Sequence, residues 1–144
     1  MFEIEKIKEI KAEIISEEGF SPYAYSDSLG YMTIGYGRCI DKRKGSGISR
    51  YEAGVLLEND IRAALIFLKQ DISFFDSLPD GVARALVNMA YQLGLAGVLR
   101  FKKMLAAMEK KDWKEAAAQA LDSEWAKQTP ARAKRIASMI EAGL

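Results

Sequence analysis

The chain has 144 residues, 49% of them hydrophobic and 28% charged, the makeup of one globular domain that buries a core without covalent staples. Its formal net charge of +1 gives neither the basic footprint of a nucleic-acid binder nor strong attraction to an anionic polymer. It has no histidine and a single cysteine, Cys39, which excludes histidine-based catalysis, histidine metal sites and an internal disulfide.

The opening segment is studded with charge and has no apolar h-region, so it does not read as a signal peptide. No stretch approaches the length of a transmembrane helix, and no stable membrane association is expected. Ile4, Ile7, Ile10, Ile14 and Ile15 fall on one face of a helix at about 100° per residue, with Lys11 interrupting the face. Gly19 reads as its C-cap. From Tyr23 to about Arg38, aromatic and β-branched residues mix with Gly30, Gly35 and Gly37, which predicts strands. Ser28-Leu29-Gly30 reads as a three-residue hairpin loop with its glycine in the left-handed position.

A basic, glycine-containing loop follows from Asp41 to Gly47. Its Lys42-Arg43-Lys44 run reads as a solvated surface. Ser49-Arg50-Tyr51-Glu52 matches a capping box that opens a helix to about Gln70. Some twenty helical residues span about 30 Å, enough to link two lobes. The expected organisation is one α+β domain over residues 1–144. It comprises a small β-hairpin lobe at about 20–50, a linking helix at about 49–70, and a helical lobe at about 71–144 joined by the N-terminal helix. Within that lobe, one helix runs from Pro79 or Asp80 to Leu93 and stops at Gly94. Another runs from about Val98 to Glu109, and a third begins near Asp112. Thr129-Pro130 reads as a cap followed by proline at the first position of the last helix.

With no histidine, acid–base chemistry near neutral pH falls to carboxylates, Lys, Tyr or Cys39. Glu17 and Glu18 point about 100° apart on their helix. Glu18 projects amid Ile4, Ile7 and Ile14, whereas Glu17 lies at the edge of that face. Apolar surroundings and the negative end of the helix dipole would both disfavour ionisation of Glu18, as a general acid requires. From the helix alone, a helix end turning into solvent with a chance carboxylate is the plainer reading. With a 28–30 loop, Asp27 stands opposite Tyr31, and Thr33 lies one diagonal step away on the same face. Diagonal neighbours are about 7–8 Å apart, room for a water between carboxylate and hydroxyl. Two carboxyl groups with such roles suit a glycosidase, inverting at a separation of about 6.5–9.5 Å and retaining at about 5–5.5 Å. Cys39 reads as a small packed residue, because no histidine can activate it. Trp113 and Trp125 read as core aromatics.

Glu18-Gly19, then Tyr25-Ser26-Asp27, then Gly30-Tyr31-Met32-Thr33-Ile34-Gly35-Tyr36-Gly37 resembles the T-even phage lysozyme family of endolysins, glycoside hydrolase family twenty-four. Asn88 to Gly94 is similar to the family's N-x-x-x-Q-x-G helix end beside the substrate cleft. Trp125 and Gln128 to Arg135 are similar to its W…Q-T-P-x-R-x-x-R element.

The resemblance implies a two-lobed α+β fold with catalytic Glu18 as general acid, Asp27 as second carboxylate and Thr33 placing the water. It puts Gln92, Tyr91 and Arg132 at the substrate, with Arg132 paired to Glu18. A cation there acts against the effect of burial on that carboxyl. The implied substrate is the peptidoglycan glycan strand, cut by a monomer that needs no cofactor or metal. The enzyme would be made in the host cytoplasm and reach the wall through a holin-type lesion.

Two departures stand out. Arg38 replaces the family's histidine, with Asp60 as the matching acidic partner, and the loop after Ile40 is shorter than in the longest members. A lytic transglycosylase would not need Asp27. A catalytically altered glycan-binding protein on this fold would not need the Glu18, Asp27 and Thr33 set. The intact set favours hydrolysis.

Overall fold

The computed structural model describes residues 2–41 and 47–144, so the Lys42-Arg43-Lys44 run lies outside the described residues. The chain divides into two compact units, Met1–Gly54 and Val55–Leu144.

In the first unit, α1 (Phe2–Glu18) ends as its sequence predicts. Gly19 adopts φ +68° and its N–H donates to the Ile15 carbonyl at 3.3 Å. Its isoleucine face stays largely exposed at Ile7 and Ile10, and lines a shallow groove with Tyr36. The chain then forms an antiparallel meander of β1 (Ser21–Ser26), β2 (Met32–Gly35) and β3 (Arg38–Cys39). Loop length fixes the first register. Tyr25 stands across from Thr33 and Ser26 from Met32, with an irregularity between Ser21 and Tyr25. Thr33 is flanked on the other side by Cys39. Gly30 takes φ +84° at the hairpin tip, the conformation its position demands.

The capping box forms in full at the start of α2 (Arg50–Asp71). Glu52 N–H donates to Ser49 Oγ at 3.1 Å, and Ser49 N–H donates to Glu52 Oε2 at 2.9 Å. Glu52 uses its other oxygen to hold Arg38, which also donates to the Cys39 carbonyl. The carboxylate that Arg38 meets is therefore Glu52, about two helical turns before Asp60. A cap residue and a strand cation share one side chain, so the start of α2 is tied to β3. Glu52→Ala is expected to destabilise the first unit by about 0.5–2 kcal/mol, the range for loss of a cap. Denaturant melting checks this, and an unchanged midpoint would show that the shared carboxylate contributes nothing.

The second unit is helical. It holds the rest of α2, a 3-10 turn at Phe75–Ser77, α3 (Asp80–Leu99), α4 (Lys102–Glu109), α5 (Trp113–Leu121), α6 (Glu124–Gln128) and α7 (Pro130–Ala142). Its core is built from Leu86, Met89, Met104, Met108, Ile136 and Ile140, all buried. Alanines 116, 117 and 120 on α5 and 133 and 137 on α7 are buried where those helices pack together. Asp112 caps α5 by accepting from Glu115 N–H at 3.1 Å, close to the predicted start. The chain ends back on α3, where Gly81 N–H donates to the Leu144 carbonyl at 2.5 Å. One helical sheet-bearing unit and one all-helical unit give the expected α+β class.

Three expectations are corrected. Gly94 breaks the helical dihedrals at φ 74°, ψ 164°, but helical bonding resumes as far as Leu99. The helix expected from Val98 therefore arrives in two pieces, the end of α3 and α4. Thr129 does not cap α7 with its side chain. Its hydroxyl donates to the Trp125 carbonyl at 3.1 Å, a back-bond to residue i−4, while Pro130 keeps the predicted first position. Finally, α3 is long and apolar enough to cross a membrane by length and composition. Its buried row of Val82, Ala85, Leu86 and Met89 is equally what the central helix of a packed core requires.

Candidate active site

Glu18 closes α1, and the left-handed turn at Gly19 sends the backbone away into β1. The Glu18 side chain is exposed, but its carboxyl lies against the backbone of Gly37 in the turn between β2 and β3. Phe20, two residues on, meets Tyr36 with ring centroids 5.3 Å apart. The junction of α1 with β1 is thus pinned to that turn by one aromatic pair and one carboxyl contact.

Asp27 sits where β1 enters the hairpin loop and is half-buried. Its backbone N–H donates to the Tyr31 carbonyl at 2.8 Å, which confirms the predicted Asp27/Tyr31 pairing. Its Oδ1 accepts from Leu29 N–H at 2.9 Å and Tyr31 N–H at 2.8 Å. Two donors on one oxygen fix the carboxylate plane and leave Oδ2 without a partner among the described residues.

Thr33 lies at the middle of the sheet, between Tyr25 and Cys39. At 5% exposure it is the one polar side chain buried among the described residues. Its Oγ1 donates to the Tyr31 carbonyl at 3.2 Å. A hydroxyl that has spent its proton keeps lone pairs, so it is an acceptor for a water. The hairpin therefore brings Asp27 and Thr33 together on one residue, Tyr31, whose N–H the carboxylate accepts and whose carbonyl takes the hydroxyl proton.

The remaining predicted residues lie in the second unit. Tyr91 is exposed on α3 and lines a cavity of about 480 Å³ with Val87, Asn88 and Arg132. Arg132 of α7 is held by Asn88. Its Nε and Nη2 donate to the Asn88 side-chain oxygen at 2.9 and 2.7 Å, and Nη2 also reaches the Asn88 carbonyl at 3.2 Å. Gln92 accepts from Trp125 Nε1 at 2.9 Å through its amide oxygen. Trp125 is buried, as expected of a core aromatic, and stacks edge-on against Phe101. Trp113 is half-buried, with its indole filling the space beside Gly143.

Sequence reasoning missed three of these relations, Asn88 with Arg132, Gln92 with Trp125 and Glu18 with Gly37. Asn88 and Gln92 are four apart, hence on one face of α3. That face is where α7 and α6 dock their Arg132 and Trp125 side chains. The spacing was a usable signal, because polar groups at i and i+4 on an otherwise apolar helix need partners. The Glu18–Gly37 contact had no comparable signal beyond the glycine itself. No group of acidic residues and cysteine suited to a metal occurs among the described residues.

A helix-end carboxyl and a hairpin carboxylate within one small unit, in a chain with no histidine, meet the acid–base needs of a glycoside hydrolase. Comparison with known proteins gives the family. The phage lysozyme family profile matches residues 15–141. Two proteins of Dictyostelium discoideum, probable T4-type lysozymes 1 and 2, are each 29% identical over 95% of this chain and 96% of their own length. The pre-baseplate central spike protein Gp5 of Enterobacteria phage T4 is 31% identical over 88% of this chain, which spans 26% of that protein. The chain belongs to the phage lysozyme family, and its class is that of a lysozyme-type glycosidase.

Proposed function

We propose that the protein is a muramidase that hydrolyses the β-1,4 bond between N-acetylmuramic acid and N-acetylglucosamine in bacterial peptidoglycan, acting as an endolysin. The observation that carries the reading is the hairpin. Asp27 is oriented by two backbone N–H groups, and the buried Thr33 hydroxyl is held on the carbonyl of Tyr31, one of the same two residues.

In this reading Glu18 gives its proton to the glycosidic oxygen as the bond to the sugar carbon breaks. A water lies between Asp27 Oδ2 and Thr33 Oγ1. Asp27 takes one of its protons, and its oxygen bonds to the sugar carbon. That is the division of labour of an inverting hydrolase. Arg132, oriented by Asn88, is read as a glycan-binding cation by likeness to the family. Tyr91 and the amide N–H groups of Gln92 face the glycan, the Gln92 oxygen being engaged by Trp125. Synthesis in the cytoplasm and passage to the wall through a holin-type lesion belong to the same reading, by likeness to endolysins.

The test is to digest purified sacculi and identify the products by mass and by the configuration of the newly formed anomeric centre. Reducing muramic ends, formed first as the α anomer, are expected. Anhydro-muramyl ends would replace hydrolysis by transglycosylation, β-anomer products would make Asp27 the attacking group, and binding without release would overturn the enzymatic reading.

A further inference from the structure

The end of β2 and the turn after it carry two glycines at nearly the same positive φ, Gly35 at +67° and Gly37 at +72°. Their surroundings differ. A Cβ on Gly35 would meet nothing within 4 Å. A Cβ on Gly37 would fall 2.6 Å from Glu18 Oε2, 2.9 Å from its Cδ and 3.3 Å from its Cγ. Those distances are inside the roughly 3.5–4.0 Å at which carbon atoms make favourable contact. Backbone conformation alone accounts for glycine at position 35. At position 37 the carboxyl occupies the volume a side chain would take.

We propose that Gly37 is a positioning residue for Glu18: its bare backbone is the seat that holds the Glu18 carboxyl in place. This rests on the role given to Glu18 above. Three features build the seat. Gly19 ends α1 immediately after Glu18, so the side chain leaves from the last helical position. The Phe20–Tyr36 ring contact, between the residue two after Glu18 and the residue before Gly37, draws the α1 end and the turn together. Gly37 then admits the carboxyl at a distance no other residue allows. Glu18 is exposed and flexible, so a methyl at position 37 displaces it instead of breaking the turn. The effect falls on orientation of the acid, and misplacing a reacting group by about 1 Å lowers rate on the order of 10²-fold.

The paired glycines give the experiment its control. Gly35→Ala and Gly37→Ala both place alanine at a similar positive φ, so both are expected to lower the melting temperature. Only Gly37→Ala is expected to lose kcat on soluble glycan fragments, by roughly 10²-fold, with KM unchanged. Gly35→Ala should stay within a few-fold of the parent. A double-mutant cycle sharpens the assignment. In a Glu18→Gln background, the Gly37→Ala loss should shrink to that of Gly35→Ala, since there is no acid left to misplace. A loss independent of residue 18, or equal kcat losses in the two alanine variants, overturns the proposal.

The contact is also measurable without a variant, should Gly37→Ala fail to fold. Nuclear Overhauser effects from Glu18 Hγ to Gly37 Hα are expected in the parent protein, and their absence refutes the seat. Turnover surviving Glu18→Gln would instead remove the general-acid role, while the Overhauser result stands or falls separately.

Discussion

Glu18→Gln is expected to lower turnover on purified sacculi by roughly 10²–10⁴-fold, the contribution of a positioned general acid, while its circular dichroism and melting temperature match the parent. The amide is nearly isosteric and fits the Gly37 seat, so the local structure has no reason to change. It cannot release a proton to the departing sugar oxygen. The chain offers no histidine to take over that task. The measurement is the rate of reducing-end release by parent and variant at matched concentration. Turnover retained within a few-fold would remove Glu18 from the chemistry.

Trp125→Ala is expected to have the largest effect on stability, about 3–5 kcal/mol, the range for truncating a buried tryptophan to alanine. Trp125 is 5% exposed, stacks on Phe101 with centroids 6.0 Å apart, and donates to Gln92. Alanine removes the ring and its contacts together. Trp125→Phe separates the contributions, because it keeps most of the apolar volume and loses only the indole N–H, at a cost of about 1 kcal/mol. Denaturant melts of the three proteins check both values. A Trp125→Phe variant as unstable as Trp125→Ala would assign the stabilisation to the hydrogen bond and not to packing.

The features legible in the sequence were those decided within a few residues. The capping box at Ser49 and Glu52, the C-cap at Gly19, and the Asp27/Tyr31 pairing set by a short loop all depend on local geometry. The family-specific spacing of Glu18, Asp27 and Thr33 could likewise be read along the chain. What stayed hidden was the choice among distant partners. Arg38 had several carboxylates within the chain, and folding selected Glu52, already fixed by its cap. Thr129 had the composition of a cap, but its hydroxyl was nearer the carbonyl of Trp125. The five-residue helix α6 was too short to show any hydrophobic period. Gly94 was visible as an interruption, yet a single residue with non-helical dihedrals does not prevent helical bonding from resuming beyond it.

The pairing of Cys39 with Thr33 gives the protein a built-in reporter. Cys39 is the chain's single thiol and is half-buried in the strand beside the hydroxyl proposed to hold the water. A thiol-specific reagent therefore labels one known place without any engineered residue. Its rate, set against that of an unstructured thiol peptide, measures how often β3 peels from β2. Slower labelling in the presence of glycan fragments would register occupancy of the hairpin even in a Glu18→Gln protein, where no product forms to be counted.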